Sequence, residues 1–187
     1  MPFDHFDLLA PLYERVIPAA AIDAMLRYLE PEADSSLLDA GGGTGRVSAF
    51  LQKDFASVVL SDISMGMLQE AAAKDGLRPT CALTEQLPFA DGHFDRVLMV
   101  DALHHVADQA QTVRELWRVI KPGGRVVIQE PDIHKFAVKL IAIAEKLALM
   151  RSHFLSGEKI AALFPFDNAE IDIHFEDFNV WVVVKKK

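Results

Sequence analysis

The run Leu38-Asp-Ala-Gly-Gly-Gly-Thr-Gly-Arg-Val47 concentrates the chemistry of this chain. Glycines at 41, 43 and 45 follow an acid at Asp39, in the pattern D-x-G-x-G-x-G. A turn this rich in glycine lets backbone approach a ligand with no Cβ in the way. Arg46 stands where a dinucleotide fingerprint, G-x-G-x-x-G, has its third glycine. The acid ahead of the turn suits a ligand carrying a positive group rather than a diphosphate. A second carboxylate, Asp62, closes the next apolar run, 21 positions after Gly41. It can accept from two neighbouring sugar hydroxyls at once, a logic shared with nicotinamide enzymes. It can also serve as the N-cap of the helix that follows, for which Ser64 is the other candidate. Asp101 and Ala102 close a further apolar run and lead into His104 and His105. A histidine there can take a proton from a carbon or oxygen acid. No His, Cys and acid residues recur at ligand spacing, so no metal site is expected.

These residues need a frame that brings three strand ends together. Ser36–Ala40, Val58–Ser61, Thr80–Leu83, Arg96–Val100 and Arg125–Gln129 are short apolar runs with few charges, as strands buried on both faces are. Thr44–Lys53, Met65–Lys74 and Gln109–Val119 lie between them at helical spacing, with Val113, Leu116, Trp117 and Ile120 forming one stripe. Lys121-Pro-Gly-Gly is expected to terminate the last of these helices. Such alternation predicts a doubly wound, mostly parallel α/β sheet with helices on both faces and ligands at the carboxyl ends of its strands. Residues 1–30 read as an N-terminal helical lid broken at Pro18. Residues 132–165 read as a helical insertion, with an apolar helix at His134–Met150 and another at Ser156–Phe164. Ala169–Phe175 and Phe178–Val184 alternate as an antiparallel hairpin, completing seven strands in one domain over 1–187.

Composition narrows the function classes. The net charge of −8 disfavours a phosphate backbone as partner. The one cysteine, Cys81, excludes an internal disulfide and is expected to be an inert core thiol in a reducing, cytoplasmic setting. No apolar stretch reaches about 18 residues, so no membrane span is expected. The apolar face of the insertion, Phe136 to Met150 with Phe154, admits three roles. It can bury against the sheet or a second copy of the chain, wall an apolar substrate pocket, or rest on a membrane surface.

Five blocks, in order, resemble motifs of the class I S-adenosylmethionine-dependent methyltransferases. They are the glycine turn, Ser61-Asp62-Ile-Ser-Met-Gly-Met-Leu68, Leu87-Pro-Phe-Ala-Asp-Gly-His-Phe-Asp95, Leu103-His-His-Val106 and Leu116-Trp-Arg-Val-Ile-Lys-Pro-Gly-Gly-Arg125. Together they cover residues 36–130, and they are most similar to small-molecule methyltransferases of the kind that includes quinone-biosynthesis enzymes. The resemblance implies a Rossmann-like methyltransferase fold, S-adenosylmethionine as cofactor and S-adenosylhomocysteine as product. It implies that Asp39, Gly41, Gly42, Gly43 and Gly45 cradle the methionyl part, and that Asp62 holds the ribose. Ile63 and Met67 would contact adenine, Asp101 and Ala102 the methionyl end, and Tyr13 would cover it from the lid. His104 or His105 would assist deprotonation of a small-molecule acceptor. The third strand departs from the family. Leu83 stands where an aspartate ordinarily accepts from the adenine amino group, leaving Glu85 or a backbone carbonyl to substitute, with Leu83 and Thr84 counted beside Glu85 among the cofactor-binding residues. Leu83 thereby supports a second reading, a non-catalytic binding or regulatory protein on the same scaffold. A nicotinamide oxidoreductase is a third, against which Arg46 argues.

Overall fold

The structure is a computed structural model that describes residues 19–136, 138, 139 and 152–187. The part of the predicted lid before residue 19, with Tyr13, and most of the predicted helix His134–Met150 lie outside the described residues. Helix α1 (Ala19–Leu29) leads into β1 (Ser36–Ala40), α2 (Arg46–Leu51), β2 (Ser57–Asp62), α3 (Met65–Ala72) and β3 (Arg78–Cys81). Then come β4 (Phe94–Val100), α4 (Gln109–Val119), β5 (Ile120–Pro131), α5 (Gly157–Ala161), β6 (Ala169–Glu176) and β7 (Asn179–Lys186). The described residues build a seven-stranded sheet in the order β3-β2-β1-β4-β5-β7-β6. Strands β1 to β5 pair in parallel, and β7 runs antiparallel between β5 and β6. This is the predicted architecture, closed by the predicted hairpin.

Two apolar cores flank the sheet. One face packs β1, β4, β5 and β7 against α4 and α5 through Leu116, Trp117, Ile160 and Phe164. The other packs Leu37, Val58, Leu98, Val127 and Trp181 against α1 and α2. The predicted stripe on α4 is buried as expected: Val113 and Leu116 are fully enclosed.

Four expectations need correction. Strand β3 is an edge strand, paired with β2 alone, so its outer side is open and Cys81 is exposed rather than a core thiol. Helix α2 begins at Arg46, because Gly45 at φ 74° is left-handed and cannot belong to the helix. Lys121-Pro-Gly-Gly does not cap α4. That helix stops at Val119, and Ile120 is already extended and paired with Phe94 of β4. Residues 121–124 then bulge out before Arg125 rejoins Arg96, and a Cβ on Gly124 would lie 2.9 Å from the Asp95 carbonyl oxygen. Helix α5 is shorter than predicted, and Ser156 occupies its N-cap position without a side-chain bond to the backbone of the first turn.

Candidate functional site

The sheet order reverses between β1 and β4, so the chain leaves these neighbouring strands in opposite directions and opens a crevice at their carboxyl ends. The glycine turn fills one side of it. Gly41, Gly43 and Gly45 have φ of 72°, 55° and 74°, values that side chains seldom adopt. A Cβ on Gly41 would come within 2.7 Å of the Ala102 Cβ, so glycine there lets the ends of β1 and β4 meet. A Cβ on Gly43 would meet only the Met67 sulfur, at 3.9 Å, so this glycine borders open space. Gly45 points elsewhere: its absent Cβ makes room for Leu77, Leu60 and Ala71, which is helix-to-strand packing rather than ligand contact.

A cavity of about 340 Å³ lies beside the turn, within the range usual for small-molecule sites. Asp39, Gly41, Gly42, Gly43, Asp62, Ile63 and Met67 line it from β1, β2 and the start of α3. Leu83, Thr84 and Glu85 line it from the loop after β3, and Asp101, Ala102 and His105 from the turn after β4. The structure thus gathers the predicted residues at one place, except Gly45 and His104 and apart from Tyr13. Thr44, Arg46, Val100, Val106 and Ala107 also face the cavity. Arg46 had stood out only as a departure from a dinucleotide motif. Its place at the start of α2, next to the turn, was the available signal.

The carboxylates set the electrostatics. Asp39 is buried beneath the turn, where a Cβ on Gly42 would strike its carboxyl at 2.8 Å, and it accepts the Ser48 hydroxyl at 2.6 Å. Burial pushes its carboxyl up to about 6, with the Asp62 charge adding to the rise. Asp62 accepts the Gly43 N–H and the Ser64 N–H, both at 2.8 Å, tying the turn to the entrance of α3. Ser64 is the N-cap of that helix, bonded to the Met67 N–H at 3.2 Å. Asp101 keeps an open face toward the cavity, yet protein surrounds it on its other sides. That crowding, with the Glu130 charge behind, also raises its carboxyl to about 6. Its φ of 50° is a strained value for an acid.

Around these acids the wall is apolar. Ile63 and Leu83 are about half exposed, at 56% and 49%, and Met67 of α3 packs beside the turn. Leu83, where an acid was expected, therefore enlarges an apolar face. Glu85 faces the same cavity and also ties down the neighbouring loop. Its carboxylate accepts the N–H groups of Ala107 at 3.0 Å and Asp108 at 3.2 Å, and so clamps the loop into α4. Thr84 is buried, its hydroxyl 3.1 Å from that of Thr112.

The two histidines separate. His104 is buried behind the cavity wall with its Nδ1 2.5 Å from Glu130 Oε2, whereas His105 lines the cavity. Burial, and then the neighbouring His104, lower the His105 imidazole to about 4. Among the described residues no cluster of His, Cys, Asp and Glu could hold a metal ion, and no helix is long and apolar enough to cross a membrane.

Fold and crevice together define a Rossmann-like methyltransferase scaffold. Residues 38–128 match the family described as "Methyltransferase domain". The chain belongs to the class I S-adenosylmethionine-dependent methyltransferases. It is 35% identical over 136 residues to a demethylmenaquinone methyltransferase of Clavibacter sepedonicus, spanning 67% of this chain and 56% of that protein. It is 37% identical over 106 residues to the ubiquinone/menaquinone biosynthesis C-methyltransferase UbiE of Vibrio parahaemolyticus, spanning 50% of this chain and 40% of that one. The chain thus spans about half the length of the curated relatives it matches. Among solved structures, a SAM-dependent methyltransferase of Thermotoga maritima superposes with a TM-score of 0.77 at 21% identity, covering 97% of this chain and 98% of that one.

Proposed function

We propose that this chain binds S-adenosylmethionine in the crevice and directs its methyl group to a small apolar or aromatic acceptor. The observation that carries this reading is the mismatch of charge at the cavity. Asp39, Asp62 and Asp101 surround one glycine turn, and Asp39 and Asp101 hold raised carboxyls that a cationic ligand would relieve. The residues fit such a ligand in detail. Thr44 lines the cavity with a buried hydroxyl that finds no hydrogen-bond partner among the described residues, so a ligand oxygen or amine can complete it. Ile63, Met67 and Leu83 offer an apolar slot for a flat base, and Asp62 stands at the end of β2 to take ribose hydroxyls. Gly41 to Gly43 would hold the methionyl chain with their backbone, and Asp39 and Asp101 would supply negative potential for its ammonium and sulfonium charges.

When bound, the cofactor supplies a methyl already activated on sulfur, so alignment and exclusion of water are the main tasks left to the protein. His105 is the histidine at the cavity. Held neutral, it can accept a hydrogen bond from an acceptor hydroxyl and orient it, while its low basicity makes it a weak proton acceptor. Residues 152–155, at the described end of the predicted insertion, are proposed to border the acceptor side. Phe154 stacks on His104 at 4.2 Å between centroids, and the His153 N–H donates to the His104 carbonyl at 2.7 Å. Relatives named as demethylmenaquinone methyltransferases support a quinol-like acceptor, and the net charge of −8 argues against nucleic acid.

Calorimetry with S-adenosylmethionine and S-adenosylhomocysteine tests this reading. Saturable micromolar binding at one site per chain, weakened at least ~10-fold in Asp62→Ala, is the expected result. No binding of either at millimolar ligand would reduce the reading to a statement about fold. With binding in hand, transfer of labelled methyl to apolar phenols and quinols identifies the acceptor class.

A further inference from the structure

Glu130 is 2% exposed at the end of β5, and it does not line the cavity. A carboxylate that deep costs folding energy unless its partners are well placed. Among the described residues, the partners of its carboxylate belong to the turn after β4. Oε1 accepts the Leu103 N–H at 2.8 Å, and Oε2 lies 2.5 Å from His104 Nδ1, which donates to it. The preceding residue grips the same turn. The Asp101 N–H donates to the Gln129 carbonyl at 3.0 Å, and the Gln129 amide donates to Asp101 Oδ1 at 3.1 Å. Two successive residues of β5 therefore hold Asp101, Leu103 and His104, and they do so across a stretch where Asp101 is strained at φ 50°.

What Glu130 holds is itself a support. The His104 ring packs against the ring of His105 at 3.9 Å between centroids, and against Phe154 at 4.2 Å on its other contact. The His104 carbonyl accepts the His153 N–H, and Gln109 links the Leu103 and His153 carbonyls. Fixing His104 thus fixes two parts of the cavity's surroundings together. One is the turn that presents Asp101, Ala102 and His105; the other is the end of the insertion, 152–155.

We propose that Glu130 is a positioning residue of the methyl-transfer site, acting through Leu103 and His104 to hold Asp101 and His105 at the cavity. This rests on the cofactor site assigned above, yet the hold itself is measurable without any ligand. Hydrogen exchange on the ligand-free chain reads the first half. In Glu130→Ala the amides of Leu103 and His105 should lose protection, while those of β1 and the centre of β4 keep theirs. In Glu130→Gln, whose carbonyl can still accept from Leu103, most of that protection should remain. Calorimetric binding of S-adenosylmethionine reads the second half. E130A should weaken it at least ~10-fold and E130Q less than ~3-fold, the size expected when a charged hydrogen-bond partner is deleted or replaced. Ser36→Ala is the control. It removes a hydroxyl bonded to Asp95 at 2.6 Å, at the opposite ends of β1 and β4, and should lower stability while leaving affinity unchanged.

Unchanged exchange at Leu103 and His105 in E130A overturns the proposal. So does lost protection with unchanged affinity, since the turn would then be held to no purpose at the site. If E130A does not fold, E130Q decides alone: affinity within ~3-fold and retained protection support the proposal, and loss of affinity with protection intact overturns it. Failure of the wild-type chain to bind either cofactor form would sink the functional reading, while the exchange measurement would still decide whether Glu130 holds the turn.

Discussion

Asp101 faces the cavity with a carboxyl raised to about 6, against 3.8 in an open chain. An acid raised in this way contributes stability that is complete below about 4 and lost as pH climbs through about 6. At pH 7 its charge therefore works against the ligand-free fold. Asp101→Asn, which tolerates the left-handed backbone, should raise the melting temperature at pH 7 and leave it unchanged near pH 3, while weakening S-adenosylmethionine binding. A cationic ligand reverses the balance by favouring the ionised carboxyls of Asp39 and Asp101. Binding should thus release protons near pH 6, and affinity should tighten from pH 5 to pH 7. Calorimetry in buffers of different ionisation enthalpy counts those protons, and S-adenosylhomocysteine, without the sulfonium charge, should release fewer. Asp62 and Asp101 were legible as candidate site residues because each closes an apolar run, and Asp39 because it stands ahead of the glycine turn. Glu130 was not, because it meets His104 from a strand 26 residues further on and leaves no local mark.

Among the elements, the turn between β1 and α2 carries the tightest steric demand. Gly41→Ala combines a φ of 72° with a Cβ 2.7 Å from that of Ala102, so it should cost at least about 1–2 kcal/mol from the backbone alone and separate the ends of β1 and β4. Urea unfolding gives the first quantity, and loss of cofactor binding reports the second. Helix α4 is held more locally. Asp108 caps it by accepting the Gln111 N–H at 2.9 Å, and Asp108→Ala should cost about 1 kcal/mol in the same assay. The parallel strands and the α4 stripe could be read from periodicity, since burial on both faces of a sheet, or on one face of a helix, is written in apolar spacing. Strand β3 was misread as buried because Thr80-Cys-Ala-Leu83 is apolar, although strand order leaves it at the edge. The bulge at 121–124 was misread as a helix stop because proline and glycine punctuate both.

For the whole molecule, ligand binding and folding are one equilibrium. S-adenosylmethionine at 100 times its dissociation constant should add about 2.7 kcal/mol. In a chain of this length that raises the melting temperature by roughly 5–10 °C. Differential scanning fluorimetry would detect it, and NADH should produce no such shift. The fold and cofactor class were legible because five motifs fall, in order, at the ends of β1, β2, β4 and β5. The acceptor side was not, since no motif in the sequence falls on it. One feature of the sheet bears on how the molecule is made. Strand β7 lies between β5 and β6, one strand in from the edge, and buries Trp181, Val182 and Val184. During synthesis β6 therefore emerges with no place to dock, and the apolar edge of β5 stays bare until β7 leaves the ribosome and joins both. The half of the chain that holds the glycine turn is made first but waits on that strand for closure, and in that interval the nascent chain is most exposed to aggregation and most in need of a chaperone.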